Sequence, residues 1–239
     1  MVLFCGRQKH SFFFFLMIFA FISLCVSCTD FFSNSWATWA ARDPDRLIPT
    51  VTASNVDELI ALAENNPDLS LAILKKIQKA VNSASGADLI KLQNAALQVG
   101  VNAAGLGQAV LNAAGELTNV KTDADARDMV VNALGGMKNL NASCAALPLI
   151  LPDPSDTEAF NAFTDSASVD DLALAAALLI AGEANKYDQP DDYIENTFNS
   201  NRPIGQNEEL AVALIDSVRL RQEELSESLE DILYGLNLL

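Results

Sequence analysis

The chain has 239 residues, with 31 acidic against 15 basic side chains, a net formal charge of −16 and a single histidine. It has no cluster of Lys and Arg of the kind that phosphate binding needs, which excludes nucleic acid as a partner. The length suits one domain or two small ones with a sizeable core.

Arg7 and Lys9 precede an unbroken apolar run over residues 12–22, and Leu24-Cys25-Val26-Ser27-Cys28 follows. A basic start, a short apolar stretch and small residues before a cleavage point form the layout of a secretory signal peptide. The run falls short of the roughly 20 residues a spanning helix needs. Small Ser27 directly before Cys28 resembles the bacterial lipoprotein signal. The leucine usual three places before the cysteine is Cys25 here, with Leu24 one step early. The resemblance implies that residues 1–27 are removed and that Cys28 is acylated as the new N-terminus. The protein would then be anchored to a membrane of the bacterial cell envelope, facing the periplasm or the exterior. Ordinary cleavage nearby, releasing a secreted protein, is the alternative.

Processing at that point removes His10, Cys5 and Cys25 and makes the net charge more negative by Arg7 and Lys9. With no histidine left, serine and cysteine hydrolases of the histidine-assisted kind are excluded, as are histidine metal sites. If Cys28 carries lipid, Cys144 has no disulfide partner. Its small and apolar neighbours mark it as a buried structural thiol. An anionic membrane repels so acidic a body, so attachment rests on acyl chains, at about 0.8 kcal/mol for each buried methylene.

Next along the chain, Phe32, Trp36 and Trp39 recur at i, i+4 and i+7, which puts three rings on one face of a helix. They suit either the headgroup region, where Trp is at home, or packing on the body. Pro44 and Pro49 then break the pattern, so residues 28–54 read as an anchored segment and linker. From Asn55 a helix-start signal repeats, a capping residue with an acid three places later. It occurs at Asn55 with Glu58, Ser85 with Asp88, Thr122 with Asp125, Ser155 with Glu158 and Ser168 with Asp171. Pro67 after Asn66 and Pro190 after Gln189 mark two more starts. No strand-like alternation competes, and Leu147 to Leu151 reads as loop because of Pro148 and Pro152. Residues 55–239 are therefore expected to be all-α, as a multi-helix bundle or a helix-hairpin array around a buried central helix.

The starts at 55, 85, 122 and 155 are spaced about as helix-hairpin repeats are, but the Trp, Leu-Gly and Tyr positions of a tetratricopeptide motif are not met. Asn65-Asn66-Pro67-Asp68-Leu69 looks like a turn between such repeats. With a lipid cysteine and an acidic helical body, it is similar to the helical lipoproteins associated with TRAP transporters. That resemblance implies a trimeric periplasmic component working with a substrate-binding protein.

Two helices carry most of the internal information. Leu89, Leu92, Ala96, Val99, Ala103 and Leu106, continuing to Val110, Ala113 and Leu117, form one apolar seam with 3-4 spacing. A bend or break is expected near Gly105, since glycine lowers helix stability by up to ~1 kcal/mol. Opposite the seam, Asn94, Gln98, Asn102, Gln108 and Asn112 form a stripe of amides, and no charge falls between Leu92 and Gly115. Amides donate and accept hydrogen bonds, so this face suits a neutral polar cavity or a partner as well as plain solvent. The second helix, Val169 to Ala184, is apolar on every side and belongs in the middle of a bundle. A last helix is expected over residues 206–236, along the stripe Leu214, Val218, Leu225, Leu229, Ile232 and Leu236.

Chemistry is sparse. Asp123, Asp125 and Asp128 surround one helix start and Asp188, Asp191 and Asp192 another, which is capping rather than metal binding. No phosphate loop or dinucleotide fingerprint occurs, and neither a metal nor a cofactor is expected. The sequence points away from an enzyme, toward a membrane-anchored helical scaffold for another envelope protein, alone or as an oligomer. The alternative is a small-molecule carrier or transport accessory with a polar cavity between helices.

Overall fold

The computed structural model describes residues 48–106, 136–187, 193, 205–227 and 229–230, all within one compact unit, Ile48–Leu239. Among the described residues there are seven α-helices and no strand: α1 (Val56–Ala63), α2 (Pro67–Val81), α3 (Gly86–Ala104), α4 (Leu140–Ala146), α5 (Thr157–Ser166), α6 (Val169–Ala184) and α7 (Gln206–Leu220). The chain is all-α. Phe32, Trp36 and Trp39, the helix start at Thr122, both aspartate clusters and the later seam residues from Val110 lie outside the described residues, as do Gln108 and Asn112.

Two helices form the middle. α3 packs on α1, α2, α4, α5 and α6, while α6 packs on α3, α4 and α7. α6 is buried on nearly every side, through Leu172, Ala175, Leu178, Leu179 and Ala176 among others, as its apolar composition requires. In α3 the seam residues Leu92, Ala96, Val99 and Ala103 are buried. Packing begins ahead of Asn55, because Ile48 and Val51 are also buried and the Ile48 carbonyl accepts from Lys76 Nζ at 2.7 Å.

Local signals explain some helix ends, although Ser85 and Ser168, the expected caps of α3 and α6, make no side-chain cap bond. At α2 the Asn66 side chain accepts from the Leu69 amide at 3.1 Å, with Pro67 in the first position, where its missing N–H costs nothing. α3 stops where Gly105 adopts φ +74, a left-handed conformation that glycine enters without penalty.

Other signals operate differently from the expectation. Asp156, not Ser155, caps α5, accepting from the Ala159 amide at 3.2 Å, while the Ser155 amide is held by Asp153 Oδ1 at 2.8 Å. Asn55 ties the preceding turn instead of its helix, accepting from the Thr52 amide and donating to the Thr50 carbonyl. Leu147–Leu149 is a short 3₁₀ turn rather than open loop, with Leu147 in the core.

The expected helix over residues 206–236 is wrong in one respect: α7 ends at Leu220. Arg221 leaves helical geometry and a 3₁₀ turn, Gln222–Glu224, follows. The cause is tertiary. Arg221 Nη1 donates to the Thr164 and Ala167 carbonyls, at 2.7 and 3.1 Å, at the C-terminal end of α5, and Glu224 receives the rest of the guanidinium. A cation at a helix C-terminus satisfies carbonyls that have no partner in the helix itself. Beyond the turn, the Ser226 amide donates to Asp170 Oδ1 in the first turn of α6.

Candidate functional site

The amide stripe is the surface feature with the strongest sequence signal, and the fold divides it. Asn94 is half-buried on α3 and its Nδ2 donates to Ser166 Oγ of α5 at 2.9 Å. Gln98 is exposed and its Nε2 donates to Asp171 Oδ2 of α6 at 2.8 Å. Asn102 is half-buried near the end of α3. Two of the amides therefore tie α3 to neighbouring helices. A fourth amide outside the stripe, Gln93, is buried and donates to the Ile150 carbonyl at 3.2 Å. The absence of charge after Leu92 was the available signal for Gln93, but only the packing of the 147–151 turn on α3 shows which amide goes inside.

Asn94 and Gln98 border an open cleft of about 450 Å³, with α3 as its floor, α1 contributing Asp57 and Ile60, and α5 contributing Ser166. Ala87, Ile90 and Ala95 supply apolar floor, and Lys91 crosses to Asp57 in an ion pair of 2.7 Å. Both ion-pair partners are well exposed, so the pair adds about 0–1 kcal/mol and is easily opened. Asn94 Oδ1 is closed off from solvent without a hydrogen-bond partner, which costs about 1–3 kcal/mol. Asp171, beside Gln98, has its pKa raised, first by burial, against the lowering effect of the Gln98 hydrogen bond and with a further rise from Asp170.

This arrangement yields a test. Gln98→Glu replaces a donor to Asp171 with a second carboxylate, and is expected to cost about 1 kcal/mol at neutral pH. A carboxyl whose pKa is raised on folding contributes stability that is lost as pH rises from its ordinary value through the raised one. The deficit should therefore grow from about pH 4 upward, where carboxylates ordinarily ionise. Urea titrations at several pH values measure it, and a deficit independent of pH would contradict the pairing with Asp171.

A second polar cluster joins α6 to α7. The Tyr193 hydroxyl donates to Glu208 Oε1, both residues being buried, and the Tyr193 ring stacks on Tyr187 at 4.7 Å. Burial and then Glu208 raise the tyrosine's pKa. Glu183 Oε1 accepts from Lys186 Nζ and Asn207 Nδ2, each at 2.6 Å. Among the described residues no group of three His, Cys, Asp or Glu is placed to hold a metal ion.

Cys144 is buried, its thiol donates to the Leu178 carbonyl at 3.2 Å, and burial, then the charge of Glu183, pushes its pKa up to about 12. A thiol held protonated in this way is a poor nucleophile and a poor ligand. It is a packing residue between α4 and α6.

Among the described residues no helix is long and apolar enough to cross a membrane. Compared with known proteins, the chain matches no family model, no curated protein and no solved structure.

Proposed function

We propose that this chain is a lipid-anchored protein of the bacterial cell envelope whose helical body is a non-enzymatic interaction module for another envelope protein. The observation that carries the reading is the pairing of a lipoprotein-like signal ending at Cys28 with a helical body bearing an open, uncharged-amide cleft. An acyl anchor at Cys28 would hold that body beside the membrane, while its acidity keeps it clear of anionic lipid. The carrier alternative has less support, since Asn94 and Gln98 edge an open cleft rather than an enclosed cavity between helices.

Mass spectrometry of the membrane fraction is expected to find a chain beginning at an acylated Cys28, and Cys28→Ala is expected to leave the precursor unprocessed. A free N-terminus downstream of Cys28 would remove the anchor from this reading.

A further inference from the structure

The floor of the cleft runs along α3 from Ala87 to Gln98, which at about 1.5 Å per helical residue is a slot roughly 16 Å long. An extended chain covers that distance with about five residues. Along the floor, Ile60 and Ile90 offer apolar surface while Asn94 and Gln98 offer amides. Amides match the free N–H and C=O groups of an extended backbone, which a helical ligand has already used within itself. Asn94 Oδ1 is already without a partner, and if the amide exchanges its bond to Ser166 for one to the ligand, that oxygen can accept from a bound N–H.

Charge narrows the occupant. The cleft's cation, Lys91, is already held by Asp57 at 2.7 Å. Asp171 is not part of the lining but sits just beyond it, accepting from Gln98 at 2.8 Å, and has no lysine or arginine partner among the described residues. The protein as a whole is at −16. We infer that the slot takes an extended peptide segment of a partner protein, laying an aliphatic side chain on Ile60 and Ile90, hydrogen-bonding its backbone to Asn94 and Gln98, and setting a basic side chain beside Asp171. This rests on the interaction-module reading and names the partner's chemistry. In established modes of extended-peptide binding, hydrogen bonds to the peptide's main chain give affinity and pockets for alternate side chains give specificity; here the amides of α3 take the place of a sheet edge.

The test uses the full chain in detergent micelles and fluorescent six-residue peptides read by polarisation. Peptides alternating leucine with lysine are compared with the leucine–glutamate series and with leucine–lysine peptides N-methylated along the backbone. The lysine series is expected to bind, and the glutamate series to bind at least about tenfold more weakly. Backbone methylation should weaken binding by roughly three- to tenfold, as loss of one or two hydrogen bonds does. In the protein, Gln98→Ala and Ile90→Ser should each weaken binding when measured well below the melting transition of each variant, so that its own loss of stability does not enter, while Asp216→Ala, on an exposed part of α7, should not. Equal affinity for both charge series, indifference to methylation or to Gln98→Ala and Ile90→Ser, or no binding at all would overturn the proposal. An acylated Cys28 together with such a failure would leave the anchor standing and remove the slot, and peptide binding by a chain without acyl groups would do the reverse.

Discussion

Phe163→Ala is expected to cost about 3–5 kcal/mol, the range for deleting a fully buried aromatic ring. Phe163 has no exposed surface and meets Phe160 edge-to-face, with ring centroids 6.1 Å apart. With Phe160 it forms the buried apolar face of α5, to which polar ties are added: Asn94 to Ser166, and Arg221 to the carbonyls at the helix end. Losing the ring should therefore loosen the α5 wall of the cleft along with global stability. Urea denaturation gives the first quantity, and amide hydrogen exchange in α5 relative to α6 gives the second. A loss below about 1 kcal/mol, typical of surface positions, would show that α5 does not pack as described.

Gly182→Ala is expected to cost about 1–3 kcal/mol through overpacking. A Cβ at Gly182 would stand 2.2 Å from Cys144 Sγ and 3.0 Å from its Cβ. The sulfur has little room to yield, since it is buried and already directed at the Leu178 carbonyl. Cys144→Ala removes the sulfur, so the double variant should recover much of the loss, and the difference from additivity measures the contact directly. Full additivity of the two changes in a urea titration would mean that α4 and α6 do not meet at this point.

These two variants show where local and tertiary information part company. The extent of α6 was legible because its cues lie within a few residues, Asp170 and Asp171 in its first turn and an apolar surface all round, although the Ser168 side chain makes no cap bond. The same holds for the start of α2 at Asn66 and Pro67 and for the end of α3 at Gly105. Each depends on backbone preference or on hydrogen bonds between near neighbours, which are printed side by side in the chain. The stripe of amides was visible too, as a departure from the charged face expected of a helix in so acidic a protein.

What that stripe does was not visible. Asn94 and Gln98 find their partners, Ser166 and Asp171, more than 70 positions away, and no local pattern specifies such a meeting. Arg221 is the sharpest case. The apolar period running on to Leu225 and Leu229 favours a continuous helix, yet the guanidinium is drawn to the Thr164 and Ala167 carbonyls at the end of α5 and α7 stops there. A hydrogen bond from a charged group contributes about 1.5–3 kcal/mol, more than helix propensity contributes over one or two residues. By itself, then, the sequence determined that the chain is helical, where several helices begin and end, and that it is strongly acidic. Only the tertiary structure decided which glycine must stay small, which amide goes inside and which edge the cleft, because those outcomes depend on contacts between residues far apart in the chain.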